Sequence, residues 1–130
     1  MTELSQNQLI QKKVILVVDD DESIRSTLVD ALSMVGYSVL QAQSGLSALK
    51  ILDKQPVDLV LSDVEMTEGD GFFLLKEIQS RKSNSPVIFI SGHAEISADS
   101  VKRLGAVDLL KKPFDISELF RIVSTLVAKN

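Results

Sequence analysis

Three short apolar runs constrain this chain more than any other feature: Val14-Ile15-Leu16-Val17-Val18, the stretch holding Val57, Leu59, Val60 and Leu61, and Val87-Ile88-Phe89-Ile90. None alternates with polar residues. Each therefore reads as a strand buried on both faces, the habit of parallel sheets. Two weaker strands fit at residues 38–41 and 107–110. Between the strands the apolar period lengthens to that of a helix. Ile24, Leu28, Ala31, Leu32 and Val35 mark one face of a helix over 23–35, closed by Gly36. Ala48, Leu49 and Leu52 mark a second, stopped before Pro56. Phe72, Leu75 and Ile78 mark a third after Gly71, and residues 97–104, closed by Gly105, form a fourth. Ile116, Leu119, Phe120, Val123 and Val127 mark a fifth, with Asp115 as its N-cap.

Strand then helix, five times over, predicts an α/β fold. Right-handed crossovers force a doubly wound, five-stranded parallel sheet with helices on both faces. The flavodoxin-like order 2-1-3-4-5 fits five strands, and it places a ligand site at the C-terminal strand edge, beside the switch point between strands one and three.

Composition narrows the chemistry available there. The 130 residues include no cysteine and one histidine, which excludes disulfides, thiolate zinc, cysteine nucleophiles and multi-histidine metal sites. A net charge of −4 argues against direct nucleic-acid or anionic-membrane binding. The longest apolar run falls far short of the ~20 residues of a membrane span, and the first residues lack a signal-peptide pattern, so the expected location is cytoplasmic. Residues 1–12 are expected to form a flexible N-terminal segment, and residues 13–130 one domain.

The strands end in polar residues. The first ends in Asp19-Asp20-Asp21-Glu22, the third in Ser62-Asp63, the fourth in Ser91-Gly92 and the fifth in Lys111-Lys112-Pro113. In the expected strand order Asp19, Asp20 and Asp63 meet. Crowded carboxylates repel, and an oxygen-only cluster with room for waters suits Mg²⁺. Helix capping accounts for Asp21 and Glu22 but not for Asp63 on another strand. Lys112 reads either as a partner for these acids or as a solvated surface lysine, with Pro113 fixing the loop that aims it. Ser91 offers a hydroxyl or serves as a turn residue. His93 reads as an exposed loop histidine, or with Glu65 as a flank of the site, and Met66 as a packing residue. A carboxylate nucleophile, a metal site, a lysine and a hydroxyl around one point suit phosphoryl chemistry. No phosphate-binding glycine loop is present, so the phosphoryl donor is expected to be another molecule.

The fragments V-V-D-D-D (Val17 to Asp21), L-S-D-V-E-M (Leu61 to Met66), G-D-G (Gly69 to Gly71), I-S-G (Ile90 to Gly92) and K-K-P-F (Lys111 to Phe114) stand in this order. Together, from about Lys13 to Ala128, they resemble the receiver domain of bacterial two-component response regulators. The resemblance implies that Asp63 accepts a phosphoryl group from a sensor histidine kinase or a phosphotransfer protein. It implies that Asp19, Asp20, Asp63 and the backbone carbonyl of Glu65 hold Mg²⁺. Ser91 would bond a phosphoryl oxygen, Lys112 would pair with the phosphoryl group, and the Lys112-Pro113 bond would be cis. The implied role is a regulatory phosphoacceptor, single-domain like the chemotaxis regulators. It would not be an enzyme beyond self-phosphotransfer and slow self-dephosphorylation.

Its output would be a downstream protein contact or a phosphorelay step, through the face of the fourth helix, fifth strand and fifth helix. The sequence departs from the family pattern twice: Thr67 stands where proline usually follows the methionine, and Leu109 stands where an aromatic usually precedes the lysine by three. Leu109 has no polar tip and is expected to stay buried in both states, leaving the backbone from Ser91 to Ile96 to carry the signal. The rival is a haloacid-dehalogenase-like, Mg²⁺-dependent aspartyl phosphatase, whose Asp-x-Asp motif Asp63-Val64-Glu65 loosely imitates.

Overall fold

A computed structural model describes residues 12–81 and 85–128, so the expected N-terminal segment lies, but for Lys12, outside the described residues. Five strands, β1 (Val14–Val18), β2 (Ser38–Ala42), β3 (Leu59–Asp63), β4 (Val87–Ser91) and β5 (Asp108–Lys111), alternate with five helices. These are α1 (Glu22–Met34), α2 (Gly45–Lys54), α3 (Gly71–Gln79), α4 (Ala98–Leu104) and α5 (Ile116–Leu126). All pairings are parallel, in the order β2-β1-β3-β4-β5. This is the expected fold.

The sheet separates two cores, and each strand feeds both. Ile15 and Val17 point toward α1 and α5, where Leu28, Leu32, Leu119, Ile122 and Val123 cover them. Leu16 and Val18 point to the other face, toward Ala48, Leu49, Leu74, Leu75, Ile78 and Val101. Side chains alternate across a strand, so a strand with helices on both sides must be apolar at every position. Phe89 is fully buried and meets Phe72 edge to face, with ring centres 5.4 Å apart.

Caps fix where the helices start. Asp21 accepts the N–H groups of Ser23 and Ile24 to open α1, and Ser44, Asp70, Ser97 and Asp115 do the same for the other four. Gly105 closes α4 at φ 110°, a backbone conformation that glycine adopts without strain.

Some boundaries move. Val57 precedes β3; it is buried, and its carbonyl accepts the Ser85 hydroxyl at 3.0 Å. β5 starts at Asp108 and includes Lys111. Ile116, expected on the buried stripe of α5, is 39% exposed. It is the first residue of the helix, and Ile122 fills the stripe instead.

Candidate functional site

Strand register builds the site. Val18 pairs with Ser62, so the next residues, Asp19 and Asp63, leave neighbouring strands side by side. Asp63 pairs with Ile90, and Ser91 pairs with Lys111, which places Ser91 and Lys112 one step further along the same edge. Asp19, Asp20 and Asp63 each present a carboxylate oxygen, all within 4.8 Å of one another. Lys112 Nζ lies 3.5 Å from Asp63 Oδ1 and 3.9 Å from Asp19 Oδ2. The Lys112-Pro113 peptide is cis.

Burial divides the acids. Asp19 is 1% exposed, Asp63 is half-buried and Asp20 faces solvent. Burial pushes the Asp19 carboxyl above the usual carboxylate range, against the Asp21 N–H and Lys112, which hold it down. Burial first and Asp19 second push Asp63 up in the same way, with Lys112 opposing. Asp21 lies below the ordinary value because Ser23 and the first N–H groups of α1 bond it. That is the capping role expected of it.

Asp19 Oδ1 accepts the Asp21 N–H at 2.9 Å, while Asp19 Oδ2 is buried with no hydrogen-bond partner among the described residues. A buried carboxylate oxygen without a partner is costly. It faces Asp20 and Asp63, so the donor set consists of hard oxygens that fit a small divalent cation.

Ser91 is buried, and its oxygen accepts the His93 N–H at 3.0 Å. Among the described residues its hydroxyl donates no hydrogen bond. The Glu65 carboxylate is exposed and contacts His93 Nε2, while Glu95 lies 3.7 Å from Nδ1. His93 is therefore exposed, and its ring bridges the β3–α3 and β4–α4 loops through Glu65. Met66 is half-buried against the core. Leu109 is 8% exposed in this state. The Thr67 N–H approaches Asp20 Oδ2 at 3.4 Å, a contact that proline at this position would lack.

Four features escaped sequence reasoning. Arg25 donates from Nη1 to the Asp19 carbonyl at 2.7 Å and from Nε to Gln41 at 2.9 Å, bracing the acidic corner. A cation near a helix N-terminus opposes the dipole, and that mismatch was the available signal. Lys111 donates from Nζ to the carbonyls of His93 at 2.8 Å and Ile96 at 2.9 Å. A side chain at Gly71 would place its Cβ 2.6 Å from the Asp63 carbonyl oxygen and 2.9 Å from the Phe89 ring. Glycine there lets α3 close behind Asp63. At Gly45 a Cβ would meet the Gly69 carbonyl oxygen at 2.5 Å, so the start of α2 is equally tight against the β3–α3 loop.

Residues 15–124 match the response regulator receiver domain family. The chain is 38% identical over 120 residues to the DNA-binding transcriptional regulator NtrC of Escherichia coli (strain K12), covering 92% of this chain and 26% of that protein. It is 39% identical over 110 residues to the regulatory protein AtoC of the same organism, covering 84% of this chain and 24% of that protein. It thus spans about a quarter of the length of these curated relatives. Among solved structures it is similar to the receiver domain of NtrX from Brucella abortus, with a TM-score of 0.81 and 34% identity over 89% of this chain and 99% of that one. The chemotaxis protein CheY4 of Vibrio cholerae matches with a TM-score of 0.82 and 29% identity, covering 90% and 100% of the two chains.

Proposed function

This chain belongs to the response regulator receiver domain family of two-component systems, and on that premise we propose that Asp63 is its phosphoacceptor. The carrying observation is the meeting of Asp63 with Asp19, Asp20 and Lys112 at one edge of the sheet. An Asp63 oxygen attacks phosphorus, the bond to the donor's imidazole nitrogen breaks, and that nitrogen keeps the electron pair and is reprotonated from water. The donor in this reading is a sensor histidine kinase or a phosphotransfer protein.

Asp19, Asp20, Asp63 and the Glu65 backbone carbonyl hold Mg²⁺ in this reading, and Asp19 Oδ2, buried and without a hydrogen bond among the described residues, supports it. Bound there, Mg²⁺ offsets negative charge on the transferring group. The Lys112 ammonium supplies a second positive charge, and the Ser91 hydroxyl supplies a hydrogen bond. The domain is residues 13–130. Phosphorylation shifts a two-state equilibrium in the β4–α4 loop, and the face of α4, β5 and α5 contacts a downstream protein. Among the described residues no helix is long and apolar enough to cross a membrane.

The phosphatase alternative is not supported. It requires a second acid two residues after the nucleophile, but the Glu65 side chain is exposed and engages His93 instead of joining the cluster. A turnover measurement separates the two chemistries. With Mg²⁺ and a small acyl phosphate, the protein is expected to gain one phosphoryl group per chain and to leave an aryl phosphate essentially unhydrolysed. Repeated hydrolysis of the aryl phosphate without a labelled protein would overturn the reading.

A further inference from the structure

The residue before the site lysine has a contact pattern of its own. Lys111 ends β5, in register with Ser91, and the Lys112 N–H donates to the Ser91 carbonyl at 2.8 Å. The Lys111 side chain does not reach the carboxylates. It folds back along the β4–α4 loop and donates to the His93 and Ile96 carbonyls at 2.8 and 2.9 Å. The His93 carbonyl also accepts the Ile96 N–H at 3.2 Å, closing a tight turn. At the other end of this turn the His93 N–H donates to Ser91 Oγ. The loop is thus tied from the buried Ser91 hydroxyl to Ile96, and the ammonium binds two of its carbonyls at once.

Resting on the phosphoacceptor reading above, we propose that Lys111 is a positioning residue: it latches the β4–α4 loop in the state where Ser91 Oγ is engaged by His93 N–H. Turning Ser91 toward a phosphoryl group would break its bond with the His93 N–H, a bond that the loop's present placement maintains. Releasing it costs two hydrogen bonds from a charged donor, a stronger class than neutral ones. The contact is exposed, which limits its strength. Ile96 packs on the core, so the loop has a defined place to return to. Lys111 acts by holding the unphosphorylated arrangement, unlike Lys112, which faces the acids directly.

The test uses the full chain with Lys111→Met, which keeps the stem and removes the donors, and Lys111→Arg, which keeps donors. NMR signals of residues 91–96 are followed without phosphate, and labelling by a small acyl phosphate with Mg²⁺ is followed by intact mass. Lys111→Met is expected to move the loop signals toward their positions in labelled wild type and to label roughly three- to tenfold faster, as expected for a larger population of the competent state. Lys111→Arg is expected to restore wild-type behaviour. Should Lys111→Met fail to fold, Lys111→Thr, which suits a strand end, takes its place. Unmoved loop signals and an unchanged labelling rate would overturn the latch. Absence of labelling in wild type would instead sink the phosphoacceptor reading, and the loop signals of the unlabelled variants would still decide whether Lys111 holds the loop.

Discussion

Lys112→Met is expected to slow labelling of the protein by a small acyl phosphate about 100-fold or more, the scale seen when one positioned donor is removed from a charge-stabilising site. The Lys112 ammonium stands 3.5 Å from the Asp63 carboxylate and 3.9 Å from Asp19. It is therefore placed to oppose the negative charge that a phosphoryl group brings. Methionine keeps the length of the stem and loses the charge. Because Lys112 holds both Asp19 and Asp63 down, its loss lets both carboxyls rise further. The variant should then lose stability at neutral pH in metal-free buffer and regain part of it with Mg²⁺. Initial labelling rates by intact mass and melting curves with and without chelator check both statements. A wild-type labelling rate would remove Lys112 from the reaction.

Asp19→Asn is expected to melt several degrees above wild type in metal-free buffer at neutral pH. The sign follows from the direction of the shifts. Asp19 and Asp63 lie above the usual carboxylate range in the folded protein, mainly because of burial. The folded state therefore binds their protons more tightly than the unfolded chain, and stability falls as pH rises through this range. The unfavourable contribution is complete above the folded values and disappears as pH drops toward the unfolded ones. Metal-free wild type should thus gain stability as pH is lowered from neutral toward the ordinary carboxylate range. Further acidification removes the opposite contribution of Asp21 and Asp115, whose carboxyls lie below the ordinary value and whose stabilisation is lost as pH falls through it.

Asparagine at 19 keeps the oxygen that accepts the Asp21 N–H and places an amide donor toward Asp63 in place of the partnerless oxygen. Mg²⁺ should raise the melting temperature of wild type, since a ligand bound only by the folded state stabilises it, and should raise that of the variant much less. A variant that melts below wild type under chelation would show that the acidic corner carries no repulsive cost.

The fold was legible because burial on both faces leaves a plain mark. Ile15 to Val18, Leu59 to Leu61 and Val87 to Ile90 are apolar at every position since each residue meets one helix layer or the other. The acids were legible for a related reason. A charged residue that directly follows such a run must stand at the sheet edge, and strand order then brings Asp19 beside Asp63. Arg25 and Lys111 were not legible, because each acts by folding a long side chain back onto a backbone carbonyl. The place of Arg25 near a helix N-terminus is a hint without a partner attached, and nothing in the sequence marks Lys111. Gly71 was read as the residue before a helix and as part of the G-D-G fragment. Its place behind Asp63 depends on how closely α3 approaches β3 and Phe89, a distance that only packing determines. Ile116 misled because the apolar stripe of α5 continues to its first residue, which is 39% exposed, while Leu119 three residues on is fully buried.

The position of the phosphoryl group itself decides most directly whether Asp63 is the acceptor. Wild type and Asp63→Asn are incubated with Mg²⁺ and a small acyl phosphate, and the labelled chain is reduced with borohydride and mapped by peptide mass. The expected result is one label per wild-type chain, on the peptide holding Asp63, and none on Asp63→Asn with its fold intact. Equal labelling of Asp63→Asn, or a label mapped to Asp19 or Asp20, would contradict it.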